Sequence, residues 1–175
     1  HTTWFFEEMI LKKFVPDYSV FDPQFGFLFN SYYNTLGDRT PRDDRGAMTR
    51  PTVARVFEYR KYVDEAVTEL LSGPVSNEVA ELVTLGINHE QQHQELFLTD
   101  LKYTFSLNPI DPVYREGYFP EESVDANGGE FVSLDEGIYE IGHHGNGFCF
   151  DNELTRHKAY LNEFSISPHV VTNSE

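Results

Sequence analysis

The apolar run over residues 77–107 constrains this chain more than any other stretch. Leu82, Leu85, Leu96, Phe97 and Tyr103 recur at helical spacing, and the run carries Asn88-His89-Glu90-Gln91-Gln92-His93-Gln94-Glu95. On a helix, His89 and His93 stand one turn apart on one face, so two imidazoles can chelate one ion. Two His at this spacing also arise by accident on surfaces and in cores, and the pair alone leaves both readings open. The same letters spell His-Glu-x-x-His, the zinc-protease signature in which the Glu is a general base. Its metzincin form needs a Gly and then a His at position 99, where this chain has Thr99 and no intervening Gly, so that form is excluded. A downstream glutamate ligand stays open, with Glu116, Glu121 and Glu122 beyond the helix.

The chain has 175 residues, enough for one good core or for one domain and part of a second. Hydrophobic residues make up 39% and aromatic residues 15%, which argues for packed globular protein against disorder. With 29 acids against 13 Lys and Arg the formal charge is −16, the wrong sign for nucleic acid or an anionic membrane. Cys149 is alone, which excludes an internal disulfide and points to a reducing compartment. There is no apolar run long enough to span a bilayer and no secretory leader, so a soluble, cytoplasmic protein is expected. The chain opens on His1 directly into an amphipathic pattern and stops at a helix-cap signal in Thr172, Asn173 and Ser174, which is expected of a fragment.

In chain order, Trp4, Phe5, Met9, Ile10, Leu11 and Phe14 have helical period, and Pro16 stops that helix. His1 stands at its start, where a surface position is the plain expectation. Residues 21–36 are dense in aromatics and read as a short helix or a lid on a helical bundle. Residues 37–51 read as a long loop holding Arg39, Arg42, Arg45 and Arg50, almost a third of all Lys and Arg. These arginines form either a carboxylate clamp or local pairs with Asp38, Asp43 and Asp44. A helix capped by Thr49 or Thr52 follows and ends at Gly73-Pro74, and Ser76 or Asn77 caps the helix that carries His89 and His93. Gln92 borders the His face, with a plain polar boundary position as its alternative reading. Three divisions are expected: a helical metal-binding domain over 1–107, a Pro, Gly and acid-rich linker over 108–128, and a β-containing domain over 129–175. In the last, strands are expected around Glu130 to Leu134, Gly137 to Gly142 and Lys158 to Leu161, too few to close a core.

His1-Thr2-Thr3-Trp4-Phe5-Phe6-Glu7 with His89-Glu90-Gln91-Gln92-His93-Gln94-Glu95-Leu96 resembles the DinB-like amino-terminal domain of the ergothioneine-biosynthesis sulfoxide synthases. Gly137 to Gly142, Phe150-Asp151-Asn152-Glu153, Arg156-His157 and Val171-Thr172-Asn173 look like the opening of their formylglycine-generating-enzyme-like (sulfatase-modifying-factor) domain. The resemblance covers nearly the whole chain, with both halves in order. It implies a DinB-like four-helix bundle, whose completing helix precedes His1, joined to a truncated mixed α/β, C-type-lectin-like domain.

The resemblance also implies that His1 is a third metal ligand beside His89 and His93, and that the cofactor is Fe(2+). Three neutral imidazoles on one face leave the opposite positions of an octahedral ion open for substrate and dioxygen. The implied reaction joins a thiol, cysteine or γ-glutamylcysteine, to the imidazole C2 of hercynine, using O2. By the same likeness Gln92 touches the substrate imidazole, and Arg42 and Arg45 hold the thiol donor's carboxylates. The family's catalytic Tyr and trimethylammonium pocket fall beyond residue 175, so this chain alone is expected not to turn over. Alternatives are C5 sulfurisation of histidine, as in ovothiol synthesis, a zinc-dependent DinB-like hydrolase or thiol transferase, and a non-catalytic module with vestigial His.

Overall fold

Pro16 forces Val15 out of helical geometry, to φ −104 and ψ 112, and so fixes where the first helical stretch ends. That stretch runs through three contiguous pieces in the computed structural model: α1 (Thr2–Phe6), a π-helical turn (Glu7–Leu11) and α2 (Lys12–Phe14). The structure describes residues 1–31, 40–117 and 130–170, with the side chain of Arg42 excluded. Tyr32, Tyr33, Asp38, Arg39, Glu121, Glu122 and the Val171-Thr172-Asn173 stretch therefore lie outside the described residues.

The π-helical turn was not expected, since an inserted residue leaves no trace in composition. A turn closed i→i+5 advances less per residue than an α-turn, so the buried face shifts along the stretch. Thr3, Trp4, Phe5 and Phe6 are buried before the shift, and Glu7, Ile10 and Leu11 within it. The aromatic segment then contributes a short helix, α3 (Phe25–Leu28). Residues 37–51 are not one loop: a 3-10 turn over Arg42–Ala47 interrupts them.

The two long helices begin at side-chain caps. Thr52 Oγ1 accepts from the Arg55 amide at 3.3 Å to open α4 (Val53–Leu71), and Ser76 Oγ accepts from the Val79 amide at 3.3 Å to open α5 (Asn77–Ser106). The core lies where α1, the π-turn and α3 meet these helices, built from Trp4, Phe5, Phe6, Ile10, Leu11, Phe25, Tyr59, Val63 and Val79. Phe21, Phe25 and Phe29 all pack on the Tyr59 ring, with centroids 5.0 to 6.0 Å away.

The chain divides into two compact units, His1–Thr104 and Phe105–Glu175. Among its described residues the second holds two small antiparallel sheets. β1 (Val132–Leu134) pairs with β4 (Phe164–Ile166) so that Ser133 opposes Ser165, and β2 (Gly137–Ile141) pairs with β3 (His157–Leu161) so that Tyr139 opposes Ala159. β4 was missed because three residues before Ser167-Pro168 carry too little alternation to announce a strand. No described residue of this unit is buried. Helices plus small antiparallel sheets make the chain a mixed α/β protein, and among the described residues no helix is long and apolar enough to cross a membrane.

Candidate metal centre

His1 takes the N-cap position of α1, and its carbonyl accepts from the Phe5 amide at 3.1 Å. Its imidazole stacks on Trp4 with centroids 5.8 Å apart, and the Trp4 indole N–H donates to the Gly26 carbonyl at 2.9 Å. Nδ1 of His1 lies 3.1 Å from the Phe29 carbonyl oxygen and 2.8 Å from the Ser31 hydroxyl. A carbonyl can only accept, so in the neutral ring Nδ1 carries the proton and Nε2 keeps its lone pair.

His89 and His93 follow on α5 at i and i+4, with Nε2 atoms 3.1 Å apart. Two nitrogens bound to one ion at about 2.1 Å and about 90–109° to each other are separated by about 3.0–3.4 Å. The pair is thus spaced for a shared ion. The His1 ring centroid lies 5.1 Å from that of His89 and 5.3 Å from that of His93. One ligand atom from each of the three rings falls within 4.8 Å of the others, and among the described residues no other His, Cys, Asp or Glu group does this.

Packing brings α1 this close. At Gly86, one turn before His89, an added Cβ would stand 2.6 Å from Phe6 Cζ and 2.9 Å from Phe5 Cε1. Only the bare backbone of glycine lets those rings lie flush on α5, and His1 travels with them. Glu90, next to His89 on α5, meets Arg60 of α4 with Nη2 to Oε2 at 3.0 Å, while Arg60 Nε also donates to Asp64 at 2.8 Å. Glu90 is therefore tied to α4, a poor position for the base that a zinc protease requires.

Electrostatics favours a neutral His89 ring. Burial, then the neighbouring charge of His93, holds the His89 imidazole below its ordinary value of 6.5. His89 Nδ1 is buried with no hydrogen-bond partner among the described residues. His93 is exposed, so the cluster is accessible on that side. Three neutral imidazoles fit a divalent transition ion, zinc as well as ferrous iron, and do not by themselves choose between them.

The other expected site residues are placed unequally. Arg45 is half-buried, and its Nη2 donates to the Ser31 carbonyl at 2.9 Å and the Thr40 carbonyl at 3.4 Å, which sets it one residue's length from the His1 contact. Gln92 is exposed on α5, about 60° around the helix from His89. The side chain of Arg42 lies outside the described residues. Sequence reasoning missed Ser31, Phe29, Gly86 and Arg60. Ser31 and Phe29 act through a hydroxyl and a main-chain carbonyl remote in sequence from the ligands, and only Gly86, a glycine inside a helical pattern, carried a readable signal. No protein-family model matches this chain, and no curated protein matches it.

Proposed function

We propose that this chain carries the metal-binding domain of a non-haem Fe(II), O2-dependent sulfoxide synthase of ergothioneine biosynthesis, acting in the cytoplasm on hercynine and a thiol, cysteine or γ-glutamylcysteine. The observation that carries the reading is the meeting of His1, His89 and His93 with ligand atoms within 4.8 Å. His89 and His93 lie 88 and 92 positions from His1 in sequence, and three imidazoles would hold a ferrous ion while leaving room for two substrates and oxygen. On this reading the helical unit belongs to a DinB-like four-helix bundle and the β unit to a formylglycine-generating-enzyme-like domain. Ferrous iron held by His1, His89 and His93 would supply the activation of dioxygen that closed-shell zinc cannot.

The reaction balances without an external reductant. The C2–H bond of hercynine and the S–H bond of the thiol are broken, and a C2–S bond forms. One oxygen atom of O2 becomes the sulfoxide oxygen, the other leaves as water with both hydrogens, and the four electrons O2 takes up come from C–S coupling and sulfur oxidation. In this scheme Gln92 lies near the imidazole of hercynine, and Arg42 and Arg45 meet the thiol donor's carboxylates. Arg45 spends one nitrogen on main-chain carbonyls, which leaves the rest of its guanidinium fork for a carboxylate. The catalytic Tyr and trimethylammonium pocket belong to the carboxy-terminal domain.

The test is product analysis of the full-length protein with ferrous iron, O2, hercynine and each thiol. A sulfoxide with sulfur on C2 is expected. Sulfur on C5 of histidine would move the protein to the ovothiol type, and peptide hydrolysis lost in Glu90→Gln would move it to the zinc hydrolases.

A further inference from the structure

We propose that Ser31 is a positioning residue for His1, and that its hydroxyl holds the His1 ring in the Nδ1–H tautomer that presents Nε2 to a metal ion. The inference rests on the three-His reading of the site and adds to it a residue outside the ligand set. The Ser31 hydroxyl, at 2.8 Å, is the nearer of the two oxygens that converge on Nδ1, ahead of the Phe29 carbonyl at 3.1 Å. Both accept from one N–H, so they fix the tautomer and the rotation of the ring about its Cβ–Cγ bond together. Orientation of a ligating imidazole by a hydrogen bond to its other nitrogen commonly raises metal affinity about 10–100-fold.

Ser31 is itself held. Arg45 Nη2 donates to its carbonyl at 2.9 Å, and Arg45 belongs to the 3-10 turn over Arg42–Ala47. A connected path therefore runs from the Arg45 guanidinium through Ser31 to the His1 ring. Two of the rings differ in this support: His89 Nδ1 has no partner among the described residues, whereas His1 Nδ1 has two. His1 starts α1, away from the rigid middle of α5 that carries the other two ligands, and its ring depends most on such outside support.

The experiment compares wild type, Ser31→Ala and Ser31→Thr by nitrogen-15 NMR of the His1 imidazole without metal at about pH 8, where an ordinary imidazole is neutral. The same proteins are titrated with Co(II) under chelator competition, and thermal midpoints are recorded without metal. The expected wild-type signal is a single Nδ1–H tautomer. In Ser31→Ala the other tautomer is expected at about a tenth of the population or more, with Co(II) affinity about tenfold weaker, an unchanged thermal midpoint, and recovery of both in Ser31→Thr. Ser31→Ala with the wild-type tautomer or wild-type Co(II) affinity overturns the role of Ser31. Wild type that holds the Nδ1–H tautomer yet takes up no Co(II) overturns instead the metal reading on which that role rests.

Discussion

Glu7 is the residue on which the helical core turns. Its carboxylate is 1% exposed, and three donors converge on it: the Tyr59 hydroxyl at 2.6 Å, the Tyr18 hydroxyl at 2.9 Å and the Phe21 amide at 3.1 Å. A buried carboxylate is tolerated because each of these bonds is charge-assisted. Glu7→Gln turns an acceptor oxygen into an NH2 that faces a donor, and denaturant unfolding should show a loss of about 2–3 kcal/mol. The same contacts set an alkaline limit. Burial first, and then Glu7, push both phenols well above their ordinary value of 10.0. The unfolded chain thus releases these protons earlier than the folded one, so their contribution is whole below about pH 10 and falls as pH rises beyond it. Unfolding followed across that range should show stability declining above about pH 10, with a shallower decline in Tyr59→Phe. None of this was legible in the sequence, where Glu7 is one acid among 29 and nothing marks it as facing inward.

Among the elements, α1 and α5 make the site by close approach. Gly86→Ala places a methyl group inside the van der Waals radius of Phe5 and Phe6, which are buried and have no room to withdraw. The helices must separate, and the expected result is a loss of about 1–3 kcal/mol with Co(II) affinity reduced because His1 moves off the other two rings. Stability lost with unchanged metal affinity would show that His1 reaches the site independently of this packing. The long helices were readable because their signals are local: apolar period, the caps Thr52 and Ser76, and the Gly73-Pro74 stop. So was the His89 and His93 pair. His1 was not readable from pattern, since its neighbours in space lie far along the chain, and only the family resemblance pointed to it. The π-turn and β4 escaped because each is a matter of hydrogen-bond register or of three residues, below what side-chain patterning records.

At the scale of the molecule, the two units differ in how much they bury. Among the described residues, nine buried apolar side chains of the helical unit form one cluster, whereas Phe131, Ile138, Tyr160, Ile166 and Val170 of the β unit are each at least 50% exposed. Amide protection follows the depth of opening that burial sets. Hydrogen exchange should leave α4 and the first half of α5 protected far longer than β1 to β4, and equal protection of the strands would contradict this ranking. β1, β2 and β3 were legible as strands, but where their apolar residues find cover was not, because that depends on contacts a strand pattern does not specify.

Whether His1, His89 and His93 form one ferrous site with open positions is decided by anaerobic Fe(II) titration followed by nitric oxide and electron paramagnetic resonance, in wild type and His1→Ala. A high-spin iron–nitrosyl signal in wild type, lost or greatly weakened in the variant, is the predicted result. No iron uptake, with tight zinc binding that ignores His1, would contradict it.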